Sequence, residues 1–315
     1  MPLPRRTFLK GAVLGAATLS GGDLESAGAA APAPTLGRTA SDPVLIDTNV
    51  NLFEWPYRRL TYGGDTAALV AKLKSHGVAQ AWAGSYEALF HKNITAVNAR
   101  LAAECRAHGA GFLVPFGTVN PAWPDWAEDL RRCQEVHRMP GVRVFPLYQH
   151  IRLGAPEFAA FLVEAGRRGL IVQIVGDMED NRIHHPSLTV INFDADGLLR
   201  ALQAAPQTKV QLLHATNQLT GAKRAAIVRD TPAVFDISRF EGNGILARVL
   251  GVDQPLGPLP DGRVPIDRLL FGSHAPFFPV EATVMRLFES PLTLAQLTAI
   301  MEGNARRFLG SARLG

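Results

Sequence analysis

From Val44 onward, short apolar runs rich in Val, Ile, Leu and Phe take turns with longer amphipathic stretches, and this strict alternation constrains the fold more than any other feature of the chain. Each short run suits a strand buried on both faces. Each stretch between suits a helix that covers such a strand, because parallel neighbours need a crossover of roughly a dozen residues. The pattern predicts eight strands, over Val44–Asn51, Ala79–Ser85, Gly111–Asn120, Gly141–Tyr148, Gly169–Asp177, Lys209–Ala215, Val234–Phe240 and Arg268–Pro276. Helical periodicity falls between them, for example over Thr66–His76, Asn93–His108, Pro124–His137, Glu157–Arg168 and Asp194–Ala205. A last amphipathic helix spans Leu294–Leu309, with Gly310 as its stop. Eight βα units in about 270 residues fit a single α/β domain, a (β/α)8 TIM barrel over residues 43–315, better than a doubly wound sheet, which needs fewer strands.

The N-terminus departs from this rhythm. Pro4-Arg5-Arg6-Thr7-Phe8-Leu9-Lys10 precedes a short, mildly apolar stretch, the layout of an export leader over residues 1–29 that resembles a twin-arginine signal. The apolar part is shorter than the roughly 20 residues a membrane-spanning helix needs, so cleavage after Ala27-Gly28-Ala29 is expected to leave no anchor. Residues 30–42, rich in Ala and Pro, read as a disordered lead-in. These features predict a periplasmic or extracellular protein. A formal net charge of +4 without any long basic run excludes a nucleic-acid footprint, which leaves a small molecule as the expected partner and a homo-oligomer open. The spacing of Cys105 and Cys133 matches no zinc knuckle, and both fall on helical patterns. Two unpaired structural thiols are the favoured reading and a disulfide the minor one.

A barrel carries its chemistry at the C-terminal ends of its strands. Strand one ends Asp47-Thr48-Asn49-Val50-Asn51, where simple alternation points Asp47, Asn49 and Asn51 into the mouth. Asn49 and Asn51 either bind substrate directly or hydrogen-bond the rim. Strand six ends at His214 and strand eight at Ser273-His274; strand four carries Arg143 and strand five Gln173. Arg143 either pairs with a strand-end carboxylate such as Asp47 or awaits an anionic substrate. After strand five, the loop Met178–Pro186 adds Asp180, Arg182, His184 and His185 as candidates for the rim, with solvated charge as the commoner fate of such a run, and His150 follows strand four in the same manner. Trp55, Trp82, Phe277 and Phe278 read as core or rim packing.

Leu45-Ile46-Asp47, the phrase Gly141-Val142-Arg143-Val144-Phe145-Pro146, Val172-Gln173-Ile174, and Leu270-Phe271-Gly272-Ser273 followed by Gly303-Asn304-Ala305-Arg306-Arg307 together resemble the amidohydrolase superfamily. Within it, the chain is similar to the amidohydrolase-related branch of barrels like aminocarboxymuconate semialdehyde decarboxylase. The resemblance implies a metal site built from a His-x-His after strand one, further histidines after strands five and six, and an Asp after strand eight. Here Asn49 and Asn51 stand at both histidine positions of strand one, His214 matches the strand-six histidine, and His274 replaces the Asp. A neutral amide is a poor zinc donor, so His214 and His274 remain as weak candidates for a divalent zinc or manganese ion, in an incomplete ligand set.

The sequence therefore predicts a hydrolase or lyase of the amidohydrolase-related kind, acting on a small carboxylated, lactone or amide-type substrate. His274 is expected to be the general base, with an ionisation near the reference histidine value of about 6.5. His214 is expected to orient or polarise the substrate. Asn49, Asn51, Arg143, Gln173, Arg182 and His185 are the expected substrate-binding residues. The rival is a binding or partner protein on a barrel without turnover. The leader yields a first test: replacing Arg5 and Arg6 together by Lys should abolish export, measured as the periplasmic fraction of the protein, and an unchanged fraction would show that the pair is not a signal.

Overall fold

The computed structural model describes residues 44–216, 218–251 and 262–310; the leader and lead-in expected over 1–42 lie outside the described residues. The expected (β/α)8 barrel is the observed fold. Eight parallel strands follow one another around the sheet in chain order: β1 (Leu45–Leu52), β2 (Val78–Ser85), β3 (Leu113–Gly117), β4 (Gly141–Val144), β5 (Ile171–Val175), β6 (Val210–Leu213), β7 (Val234–Asp236) and β8 (Leu269–Leu270). The sheet comes round on itself between β8 and β1, where Thr48 N donates to Phe271 O and Asn51 N to Ala275 O, each at 2.9 Å. The helices are α1 (Thr66–Ser75), α2 (Ile94–Gly109), α3 (Trp126–Glu135), α4 (Pro146–Gln149), α5 (Pro156–Arg167), α6 (Ala195–Ala204), α7 (Gly221–Asp230) and α8 (Ile245–Leu250), then α9 (Val280–Glu289), α10 (Leu294–Thr298) and α11 (Asn304–Leu309) after β8. Asp65, Asn93 and Asp194 cap α1, α2 and α6 by accepting from the third residue onward. Cys105 and Cys133 are buried free thiols.

Four expectations are corrected. Strand four ends at Val144, because Pro146, which has no N–H to give a ladder, opens the helical turn α4 instead. Strands seven and eight are shorter than expected; beyond strand eight the backbone is held by side chains, with Ser273 N donating to Asp47 Oδ1 and Ala275 N to Ser273 Oγ. The single helix expected over Leu294–Leu309 is broken by a π-turn at Ala299–Gly303, where Ile300 O accepts from Phe271 N and so ties the last helices to the end of β8. Strand one does not alternate simply: its pairing with β2 shifts between Asp47 and Val50, a bulge that sends Asp47, Asn49 and Asn51 to three different partners.

Inside the barrel the core is polar at one level. Arg143, Gln173 and Gln211 are successive cross-strand partners on β4, β5 and β6, all fully buried. Gln173 Oε1 accepts from Arg143 Nε at 2.8 Å, Gln173 Nε2 donates to Gln211 Oε1 and Thr48 O at 2.8 Å, and Gln211 Nε2 donates to Thr48 Oγ1 at 2.7 Å. The remaining N–H groups of Arg143 go to Val50 O (2.7 Å), Asn51 Oδ1 (2.8 Å), Trp82 O (3.1 Å) and Thr48 O (3.4 Å). Gly84 makes room for this group: a Cβ there would lie 2.7 Å from Arg143 Cδ and Nη1. Arg143 thus has no carboxylate partner, and the pairing with Asp47 is corrected. Its five N–H groups, like the Gln173 amide, are spent on the barrel itself, so neither residue is free to bind substrate.

This belt generates a stability prediction. Arg143→Met should strand several buried acceptors at roughly 1–3 kcal/mol apiece, for a total loss on the order of 4 kcal/mol in urea unfolding. Arg143→Lys, with fewer donors and no planar fork, should fall between. A wild-type urea midpoint in the Met variant would show that the belt does not hold the barrel together.

Candidate active site

The C-terminal ends of β1, β6, β7 and β8 bring together Asn49, His214, Asp236, Ser238 and His274, all buried. Asp236 organises them. Its Oδ1 accepts from His214 N at 3.0 Å, and its Oδ2 accepts from Asn49 Nδ2 at 2.7 Å and from Ser238 Oγ at 2.5 Å. Since a carboxylate only accepts, the Asn49 amide must turn its nitrogen this way, and the same nitrogen makes a very short contact with His214 Nε2. An amide nitrogen only donates, so His214 Nε2 accepts and its hydrogen sits on Nδ1. The reverse holds at His274. Its Nε2 lies 3.0 Å from Met178 O, which only accepts, so Nε2 carries the hydrogen and Nδ1 the lone pair. Met178 is held in turn by its N–H, which donates to Tyr148 Oη at 2.9 Å.

The two imidazoles pack 3.7 Å apart by ring centroids, and His274 stacks on Phe277 at 4.8 Å. Both sit in left-handed backbone, at φ 54° for His214 and 61° for His274. That conformation is uncommon outside glycine, and it is held here by the Asp236 bond to His214 N and by His274 N donating to Asn49 O at 2.9 Å. Burial, reinforced by the neighbouring His274 and arginines, pushes the His214 pKa well down. Burial pushes His274 down to about 3. The ionisation expected near 6.5 is therefore corrected: His274 is neutral throughout the ordinary pH range. Burial acts the other way on Asp236 and on Asp47, which is pushed up to about 6 against the hydrogen bonds from Ser273.

A set of buried polar atoms with no partner marks the mouth. Asn49 Oδ1, Trp55 Nε1, His184 Nε2, His214 Nδ1, His274 Nδ1, Gln218 Oε1 and Arg239 Nη1 are all unsatisfied, which is costly unless something else engages them. Arg239 is buried, gives its Nε to Glu241 Oε1 at 3.0 Å, and lies over the Phe278 ring at 5.7 Å. Aromatic side chains roof the region: Trp55 packs edge-on against Tyr57, Tyr86, Phe90, Tyr148 and Phe277. A groove of about 480 Å³ beside the N-terminus of α5 is lined by none of these atoms and stands apart from this chemistry.

Several expected site residues lie elsewhere. Asn51 Oδ1 is committed to Arg143. Arg182 is exposed and paired with Asp180, Nη2 to Oδ2 at 2.6 Å, so this pair is solvated rim charge. His185 is also exposed, stacked on Tyr57 at 4.8 Å, and its neighbour His184 is the one with a buried unpaired nitrogen. His150 is exposed beside Thr189 O. Asp236, Ser238 and Arg239 are the residues that sequence reasoning missed. Asp236-Ile237-Ser238-Arg239 was legible as three polar residues closing an apolar strand.

The donors do not fit a divalent cation. Asp236 already accepts three hydrogen bonds, His214 Nε2 faces an amide N–H, and His274 Nε2 is turned to a carbonyl, which leaves one imidazole lone pair, on His274 Nδ1, for a metal that needs three or four good donors. Among the described residues, no three His, Cys, Asp or Glu side chains gather as a cation site.

Comparison with solved structures supports the architecture. The chain is similar to 5-carboxyvanillate decarboxylase from Sphingomonas paucimobilis, with a TM-score of 0.62, 13% identity, and coverage of 85% of this chain and 99% of that one. It is similar to 2,6-dihydroxybenzoate decarboxylase from Rhizobium, with a TM-score of 0.60, 15% identity and coverage of 85% and 98%. It is also similar to the 5-carboxyvanillate decarboxylase of Novosphingobium aromaticivorans, solved with manganese and 4-hydroxy-3-methoxy-5-nitrobenzoic acid, with a TM-score of 0.61, 12% identity and coverage of 85% and 96%. At such identities the likeness is one of fold. No curated protein matches the chain. The family profile described as Amidohydrolase matches residues 51–311, most of the barrel, and the chain therefore belongs to the amidohydrolase family.

Proposed function

We propose that this protein is an exported enzyme, a hydrolase or lyase that acts on a small, flat, anionic carbonyl compound at the barrel mouth. The observation that carries the reading is the buried histidine pair, whose two unpaired ring atoms are opposite in kind: a donor at His214 Nδ1 and an acceptor at His274 Nδ1. In hydrolysis, water gives a proton to His274 Nδ1 as its oxygen attacks the carbonyl carbon, while His214 Nδ1–H donates to the carbonyl oxygen where charge develops. The bond to the leaving group then breaks as His274 returns the proton to it. Arg239 Nη1, buried and unpaired, takes the anionic group in place of Arg143.

Loss of carbon dioxide is the second reading, favoured by the aromatic roof. A carboxylate moved from water into such surroundings loses its solvation; its bond to the ring carbon breaks to release neutral carbon dioxide, the electron pair left on that carbon takes up a proton from water, and the fold relatives named above are decarboxylases of aromatic acids.

Because His274 loses its proton near pH 3, its base form is complete above that value, so turnover governed by it should stay level from about pH 5 to pH 8 and decline only in stronger acid. His274→Asn keeps a residue that tolerates left-handed backbone and should lower turnover about a hundredfold. It should also lower the melting temperature, because the ring's contacts with Met178 and Phe277 are lost. A panel of lactones, amides and aromatic carboxylates serves for the assay. Full turnover by folded His274→Asn, or a sigmoid rise centred between pH 6 and 7 (about the free histidine value), would refute this role.

A further inference from the structure

Three groups from two strand ends converge on one nitrogen. Asn49 Nδ2 has Asp236 Oδ2 at 2.7 Å, Ser238 Oγ at 3.5 Å and His214 Nε2 in very short contact, and all four residues are buried. An imidazole nitrogen lone pair and a carboxylate oxygen are donors that together would draw a divalent cation. Here they meet an N–H2 group whose two hydrogens match them, one each, with the serine hydroxyl turned to Asp236 instead. The other end of the amide, Oδ1, is left without a partner, so the side chain is oriented by what its nitrogen binds.

We propose that the Asn49 carboxamide is a permanent, neutral stand-in for a divalent cation, bridging His214 to Asp236 and fixing His214 in its Nδ1–H form. It is a positioning residue: it acts on whatever meets His214 through the proton it forces onto the far side of the ring. The sign of the effect follows from chemistry. A metal on Nε2 and a donated hydrogen bond on Nε2 both leave Nδ1 as an N–H, so an amide preserves the orientation and tautomer of the ring without any ion. The inference does not depend on the substrate reading, because its test requires no turnover.

The test uses the full chain, stripped of metal with a chelator. Manganese and zinc are titrated separately into wild type, Asn49→Asp and Asn49→His, with calorimetry for binding and melting temperature for response. Wild type should take up neither ion tightly. Asn49→Asp adds a carboxylate beside His214 and Asp236 and should bind one equivalent at least about a hundredfold more tightly than wild type, with a melting temperature raised on the order of 5 °C by excess ion. Should the clustered carboxylates prevent that variant from folding without metal, Asn49→His supplies a neutral donor and the same comparison. Nitrogen-15 spectra of the histidines should show His214 as the Nδ1–H form in wild type and lose that signature in Asn49→Ala. The proposal fails if wild type itself retains one equivalent of zinc or manganese after the chelator, if both substituted proteins fold yet respond to neither ion, or if His214 in wild type carries its proton on Nε2.

Discussion

A guanidinium without a carboxylate partner lies across the inside of the barrel, and the rest of the structure is arranged around its five N–H groups. A buried charge is tolerated only when every donor is used, and Arg143 uses each of them on a neutral acceptor from β1, β2 or β5. Three of those acceptors are backbone carbonyls within β1 and β2. That fixes the positions of Thr48, Val50 and Trp82, and through Thr48 and its neighbours the bulge that aims Asn49 at β6 and β7. The neighbouring glutamines extend the same belt to β6, so a polar layer does for strand register what interdigitated branched side chains do in an apolar barrel.

Above that belt the polar groups change character. Below, acceptors and donors are matched; at the mouth, a run of buried atoms is not. Unsatisfied buried groups are selected against unless they serve a purpose, and the two histidines held in left-handed backbone sit among them. Asp236 separates the two regimes. It pins the backbone of His214 and the amide of Asn49, and Nδ1 of each imidazole is left without a partner.

Membership of the amidohydrolase family and the donor set of this chain point in different directions, and the physical chemistry reconciles them. The barrel needs its strand ends positioned whatever sits between them. A cation does this by attracting carboxylate and imidazole lone pairs; an amide N–H2 does it by donating to the same two groups, with no charge to balance and no binding equilibrium to maintain.

The amino-acid chain alone specified the barrel, because a parallel strand buried on both faces is mostly apolar and its crossover is an amphipathic helix; both signals are local and recur along the chain. It also determined that His214 and His274 stand at strand ends and that Asn49 and Asn51 stand on strand one. What it could not determine was where these side chains aim. Alternation assigns Asp47, Asn49 and Asn51 to one face, but a bulge needs only one extra residue and leaves no mark in composition, and it sends them to Ser273, His214 and Arg143 respectively. Burial likewise belongs to the tertiary structure alone: it turned His274 from a group that titrates near neutrality into one that does not, and gave the unremarked Asp236 the organising place at the mouth, since desolvation and hydrogen-bond partners come from strands far apart in the chain.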